Sequence, residues 1–196
     1  MSKSLKTSIL YGSLWGFLEA TLGYILHWIF FPISGMIMFP IGVYFMKRAE
    51  KENDDKSSII YVSLIAALIK SINLFMVNPT IFKVMNPILM ILAQGLLVYV
   101  LLNKETNINL LKIFSSSFVW RAGFILLLLV EFKNPNAIYY LKGGAFRFIN
   151  FVFINAIINT GIIYMINKFA IKNKIKINPN YGFVALFAAI GIQFVL

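Results

Sequence analysis

Cysteine is absent from this chain of 196 residues, and histidine occurs once, as His27. Without a thiol, disulfides, thiolate metal sites, iron–sulfur clusters and a cysteine nucleophile are all excluded. A lone histidine does not supply the usual three-residue zinc set, and it closes most nucleophile–base arrangements. Acidic residues are scarce too, seven against eighteen Lys and Arg, and charged residues of both signs make up only 13% of the chain. No HExxH, Gly-x-Ser-x-Gly or Walker-type loop occurs. We therefore expect neither an enzyme nor a resident cofactor or metal, with a Glu/His intramembrane enzyme as the one enzymatic option left open. A transporter of this size would have to use an ion gradient or borrow an ATPase from other chains.

What the chain has in abundance is apolar surface: 60% of residues are hydrophobic, 16% are aromatic, and the mean hydropathy is +0.81. That is far from a soluble domain of this length. The pattern predicts an all-α fold, a polytopic transmembrane bundle of six to seven helices forming a single integral membrane domain over residues 1–196. Spans are expected at 8–28, 30–46, 58–77, 87–102, 112–131, 147–167 and 182–196, the last being the shortest. In "FFPISGMIMFP", Pro32, Gly35 and Pro40 predict a kinked or broken second helix. The basic N-terminus precedes an apolar run too long for a signal segment, so it is expected to be retained.

The formal charge of +11 does not read as a nucleic-acid surface, because most of the basic residues sit in short loops without interleaved aromatics. They read as topology signals instead. With the N-terminus cytoplasmic, twelve Lys and Arg fall inside and four outside, leaving Lys70 and Arg121 within spans. This predicts a multi-pass protein of the cytoplasmic membrane, in contact with lipid and not with nucleic acid. The run "KRAEKENDDKSS" (47–58) reads as a solvated cytoplasmic loop.

The first apolar stretch, "YGSLWGFLEATLGYILHWIFFP" (11–32), carries Glu19 and His27. At about 100° per residue, Gly12, Gly16, Ala20, Gly23 and His27 all fall within about 100° of Glu19, on one face. Gly12, Gly16 and Ala20 form a small-xxx-small ladder, continued by Gly23, that lets a partner helix approach closely. Packing inside the bundle would use the same ladder. Glu19 is harder to explain, since an ionisable group near mid-bilayer costs about 2.5 to 3.5 kcal/mol on insertion scales and must face protein or water.

Two counter-charges lie within spans, Lys70 in "AALIKSIN" and Arg121 in "SSSFVWRAGF". A pair that merely locks helices is one reading. The other is a solute site: one acid against two bases leaves positive charge for an anionic ligand to neutralise. His27, Glu131 and Arg147 fall near the outer span ends beside Lys83, Lys133 and Lys142, as a cavity open to the outside would require. Each could equally be an interfacial anchor. Asn73, Asn155 and Asn159 offer hydrogen bonds, to a solute or between helices. The substrate-binding candidates are thus Glu19, His27, Lys70, Asn73, Arg121, Arg147, Asn155 and Asn159. The loop "EFKNPNAIYYLKGG" (131–144) has the composition of a lid or of an ordinary turn-rich connection.

With its size, its lack of an ATPase motif and the ladder in "GSLWGFLEA", the chain resembles the substrate-binding S components of energy-coupling factor (ECF) transporters. There Gly12, Gly16 and Ala20 stand where that family carries its first-helix AxxxA-type motif. The resemblance implies a solute-binding subunit whose partners are a transmembrane coupling subunit, docked on that face, and two cytoplasmic ATPases. S components usually have six helices, and their docking face is small and apolar, whereas here Glu19 shares it. The alternatives are an autonomous proton-coupled carrier using Glu19 and His27, and a structural or assembly protein of the membrane.

Overall fold

A computed structural model describes residues 2–29, 31–75, 81–102, 109–130, 143–168 and 177–195. Among them all regular structure is helical: α1 (Lys3–Ile29), α2 (Phe31–Asn53), α3 (Ser57–Ser71) with a 3-10 turn (Ile72–Phe75), α4 (Ile81–Leu101), α5 (Leu110–Val130), α6 (Gly144–Ile149), α7 (Asn155–Ile166) and α8 (Gly182–Gln193). A π-helical segment, Asn150–Ile154, joins α6 to α7 in one rod, and a 3-10 turn, Pro179–Tyr181, leads into α8.

Four helical stretches are long and apolar enough to cross a membrane: Ser57–Phe75, Val84–Leu101, Leu110–Val130 and Phe146–Ile166. Their outward residues are apolar, as with Leu68, Val100, Leu126 and Ile157, all more than half exposed, which is the surface a lipid solvent calls for. Helices α1 and α2 are long enough at 27 and 23 residues but less apolar, because α1 carries glycines and Glu19 and α2 ends in a charged third. Helix α8, with 12 residues, is short of the ~20 that a full crossing needs.

The charged third of α2 corrects an expectation. Residues 47–53 continue the helix, and Lys47, Arg48 and Glu50 are buried at 8%, 3% and 5% exposure, so this stretch is not a solvated loop. The mixed charges meet one another at helical spacing, Lys47 with Glu50 and Arg48 Nε with Glu52 Oε1 at 3.1 Å. They also reach other helices. Lys47 Nζ donates to the Leu102 carbonyl at the end of α4 (2.6 Å), and the Tyr11 hydroxyl of α1 donates to Glu52 (2.6 Å). Burial works against the Arg48 charge, but the Tyr11 hydroxyl and the Glu52 carboxylate outweigh it and raise its pKa above the usual arginine value. Asp54, with φ of 50°, then reverses the chain, and Asp55 N–H bonds back to the Glu50 carbonyl (3.3 Å).

The main core lies between the first four helices, with Trp15, Phe39, Met46, Val62 and Val98 almost wholly buried. The small residues of α1 set its packing. A Cβ at Gly12 would stand 2.7 Å from Ile65 Cβ, and one at Gly16 would stand 2.8 Å from Ile69 Cδ1. Contacts rising together, 12 with 65 and 16 with 69, mean that α3 runs parallel to α1. Helix α2 packs on α1, α3, α4 and α7, while α5 packs on α4 and α7.

Candidate functional site

The register of α1 and α3 decides what surrounds Glu19. Continuing from the Gly12–Ile65 and Gly16–Ile69 contacts, Glu19 comes opposite Ile72, between Lys70 and Asn73 of the 3-10 turn. Glu19 is partly buried and its carboxylate lies along Gly23, where a Cβ would be 3.5 Å from Oε1. The Lys70 charge acts on it. Yet among the described residues the two side chains form neither an ion pair nor a hydrogen bond with each other.

Helix α8 adds a fourth polar residue. Its start is pinned to α1: Lys6 Nζ donates to Asn180 Oδ1 (3.2 Å), and a Cβ at Gly182 would lie 3.0 Å from the Lys6 carbonyl and 3.2 Å from the Leu10 amide. From there α8 packs along α1 and also touches the 3-10 turn after α3, which requires a course parallel to α1. The eleven residues from 182 to 193 rise about 16 Å, which brings Gln193 abreast of Glu19 and Ala20. Gln193 is 3% exposed, and its Nε2 is buried without a hydrogen-bond partner among the described residues. Asn73 Oδ1 is likewise buried and without a partner. Gln193 thus shares the height of Glu19, Lys70 and Asn73 but lies on the Lys6 and Leu10 side of α1, about 140° to 180° around the helix from Glu19.

Arg121 is built into a different place. It is fully buried on α5, and in the amide orientation that satisfies both ends, Asn159 of α7 accepts from Arg121 Nη2 (3.0 Å) and from Ser117 Oγ (3.1 Å). The same amide donates to the Met36 carbonyl of α2 (2.8 Å). Pro40 explains why that carbonyl is available: inside α2 it lacks the N–H that would have bonded to residue 36. Arg121 Nη1 also donates to the Phe151 carbonyl of the π-helical segment (3.4 Å), and the guanidinium lies 5.0 Å from the Phe151 ring centroid. The wider turn of a π-segment turns carbonyls off the helix axis toward such donors.

The eight candidates therefore divide. Glu19, Lys70 and Asn73 share one level of α1 and α3, whereas Arg121 and Asn159 join α5 to α7 and α2, with α2 packing on both α1 and α7. Asn155 lies one turn before Asn159 and is partly buried, and Arg147 is exposed near the start of the last long rod. His27 is on the last turn of α1, but its side chain lies outside the described residues, as do the Lys83 side chain and residues 131–142. Of the ladder, Gly12 and Gly16 are covered by α3 of the same chain, Ala20 is 3% exposed, and the Gly23 face is filled by Glu19. A separate coupling subunit would have to use other residues of this helix. Sequence reasoning missed Gln193, whose only signal was being the sole polar side chain in the last apolar segment, and Ser117, which lies four residues before Arg121. No family model, no curated protein and no solved structure matches this chain. Among the described residues no three His, Asp or Glu side chains gather as a metal site would need.

Proposed function

We propose that this is a multi-pass protein of the cytoplasmic membrane, N-terminus inside, that binds a small polar or anionic solute from outside and passes it inward with energy supplied by separate coupling and ATPase subunits. The observation that carries the reading is Glu19, an acid within an apolar helix that stands level with Lys70 and Asn73, makes no ion pair or hydrogen bond with Lys70 among the described residues, and has Asn73 Oδ1 buried without a partner at the same height. Buried charges and amides normally close on one another, because leaving them open costs free energy. A polar solute would supply the partners these groups lack. The orientation rests on the twelve-to-four distribution of Lys and Arg, and the parallel courses of α1, α3 and α8 suit the first, third and seventh elements of an alternating chain. The need for outside energy rests on the absence of any Walker-type loop.

Native mass spectrometry of the protein purified in mild detergent tests the binding claim. A co-purifying small molecule supports it; its absence, together with no thermal stabilisation by a broad panel of solutes, removes it. Recovery as a lone chain whose uptake runs on a proton gradient alone would remove the partner subunits.

That last outcome would favour a second reading, a proton-coupled carrier working through Glu19 and His27. Its motivation is that Glu19 stands without an ion-pair partner among the described residues. In that case Glu19→Gln abolishes pH-dependent transport while the protein still folds, and unchanged pH dependence rules the carrier out.

A further inference from the structure

Basic residues at the proposed cytoplasmic end fall into groups that differ in their countercharge. At the turn from α2 to α3, Lys47, Arg48, Lys51 and Lys56 stand among Glu50, Glu52, Asp54 and Asp55, so the charges balance within the chain, in part as ion pairs. The starts of α1 and α8 have no such balance. Residues 1–18 and 132–196 contain no acid, while Lys3 and Lys6 open α1 and the run into α8, "KFAIKNKIKINPN" (168–180), carries four lysines. Lys3 is exposed and Lys6 partly buried, and neither forms an ion pair with a described residue. The partner of Lys6 is neutral, Asn180 Oδ1 at 3.2 Å. The α2–α3 turn meets α1 on another side: Asn53 Nδ2 donates to the Ser4 carbonyl (3.1 Å). Ser4 lies about 100° around the helix from Lys3 and about 160° from Lys6.

An exposed apolar stripe begins beside these lysines. Tyr181 is 61% exposed, and Phe183, Val184 and Phe187, on one face of α8, are 47%, 65% and 72% exposed. Because α8 runs parallel to α1, the stripe leads from the lysines into the hydrocarbon, with Phe187 about 8 Å along the helix from Gly182. We infer that the paired starts of α1 and α8 form a binding site for an anionic phospholipid, its phosphate against Lys3 and Lys6 and its acyl chains along Phe183, Val184 and Phe187. The leaflet rests on the N-inside orientation proposed above; the lipid chemistry does not. A lysine close to anionic headgroups strengthens such binding about fivefold. A neutral phospholipid brings the same chains under a headgroup whose charges cancel. Free phosphate would meet the lysines and leave the stripe unused, and an acidic protein segment would find apolar surface one turn from the charge. An amphiphile with a negative head matches both halves at once.

The full-length protein in detergent, titrated by native mass spectrometry with phosphatidylglycerol and with phosphatidylcholine of the same chains, provides the test. The anionic lipid should bind about tenfold more tightly than the neutral one, and the preference should shrink as salt rises. Lys3→Gln with Lys6→Gln should remove most of that preference, while Lys51→Gln, in the balanced turn, leaves it unchanged. Phe183→Ala with Phe187→Ala should weaken both lipids alike. A phosphatidylglycerol with a photoreactive acyl chain should label α8 of the unmutated protein, which decides the matter even where a variant fails to fold. Equal binding of the two lipids, labelling confined to other helices, or displacement of the lipid by inorganic phosphate at equal concentration overturns the inference. So does a double lysine variant that keeps its lipid preference but loses a co-purifying protein, since the face would then dock protein. Protease access to the Lys3 end in sealed vesicles checks the orientation separately: cleavage only from the outer side removes the N-inside reading and leaves the lipid site standing.

Discussion

Around Arg121, the guanidinium donates to Asn159 of α7 and to the Phe151 carbonyl of the π-helical segment, and Asn159 in turn bonds to Ser117 of α5 and to the Met36 carbonyl of α2. Around Glu19, the acid and Lys70 form no ion pair or hydrogen bond with each other among the described residues, and at the same height Asn73 Oδ1 and Gln193 Nε2 are buried without a partner. Both groups are ionisable residues placed in apolar helices by a sequence with few of them. The difference separates a charge bonded across several helices from an acid and a base left unbonded to each other, and it predicts opposite responses to mutation.

The largest effect is expected at Asn159. Asn159→Leu leaves the Met36 carbonyl, the Ser117 hydroxyl and the Arg121 guanidinium each short of a bond, and should lower stability by about 3 kcal/mol in thermal or denaturant unfolding in detergent. Adding Arg121→Met removes the stranded charge and should recover most of that loss; a double variant as unstable as the sum of the two single ones would show that the two side chains do not act together.

Close behind comes the helix contact that sets the Glu19 level. Gly12→Val pushes into Ile65 Cβ, which sits too near its backbone to swing aside, and should cost about 2 kcal/mol and disturb ligand binding through the shifted register. By contrast, Gly23→Ala meets only the Glu19 carboxylate, at ordinary contact distance and on a side chain that can swing aside, and should change stability by less than about 0.5 kcal/mol.

A smaller loss, about 1 kcal/mol, is expected for Tyr11→Phe, which removes the 2.6 Å hydrogen bond to Glu52 and leaves the ring packed against Phe45. The smallest stability effect should be at the proposed site itself. Glu19→Gln or Lys70→Gln breaks no ion pair, so the unfolding temperature should stay level or rise while solute affinity falls. A sharp drop in unfolding temperature would instead make Glu19 a structural charge like Arg121, and would erase the contrast on which the functional reading depends.

Much of the candidate site is legible in the amino-acid sequence. Glu19, Lys70, Asn73, Arg121 and Asn159 stand out as polar residues in apolar runs, since the cost of burying them makes each conspicuous. How they group is not legible there. Arg121 is as plausible a partner for Glu19 as Lys70 is until α1 is found packed on α3, and α5 on α4 and α7. The stretch 47–53 misleads for a related reason: Lys and Glu at spacings of three and four look the same on a wet helix and on a buried one, and only Leu102 and Tyr11 arriving from other helices show which it is. Gln193 escapes notice because a neutral amide in a short terminal segment carries no charge penalty to signal it.

Taken alone, the amino-acid sequence determined that the chain is helical, that several helices are long and apolar enough to cross a membrane, and that thiol and cysteine-based metal chemistry are closed to it. These follow from composition and local periodicity, which each segment carries within itself. Only the tertiary structure decided that Glu19 faces Lys70 and not Arg121, that Asn159 bonds to the carbonyl Pro40 leaves open, and that α8 brings Gln193 to the same level as Glu19. Such pairings depend on helix register, and register is set where backbones approach most closely, at Gly12 against Ile65 and Gly182 against Lys6 and Leu10, contacts between residues far apart along the chain.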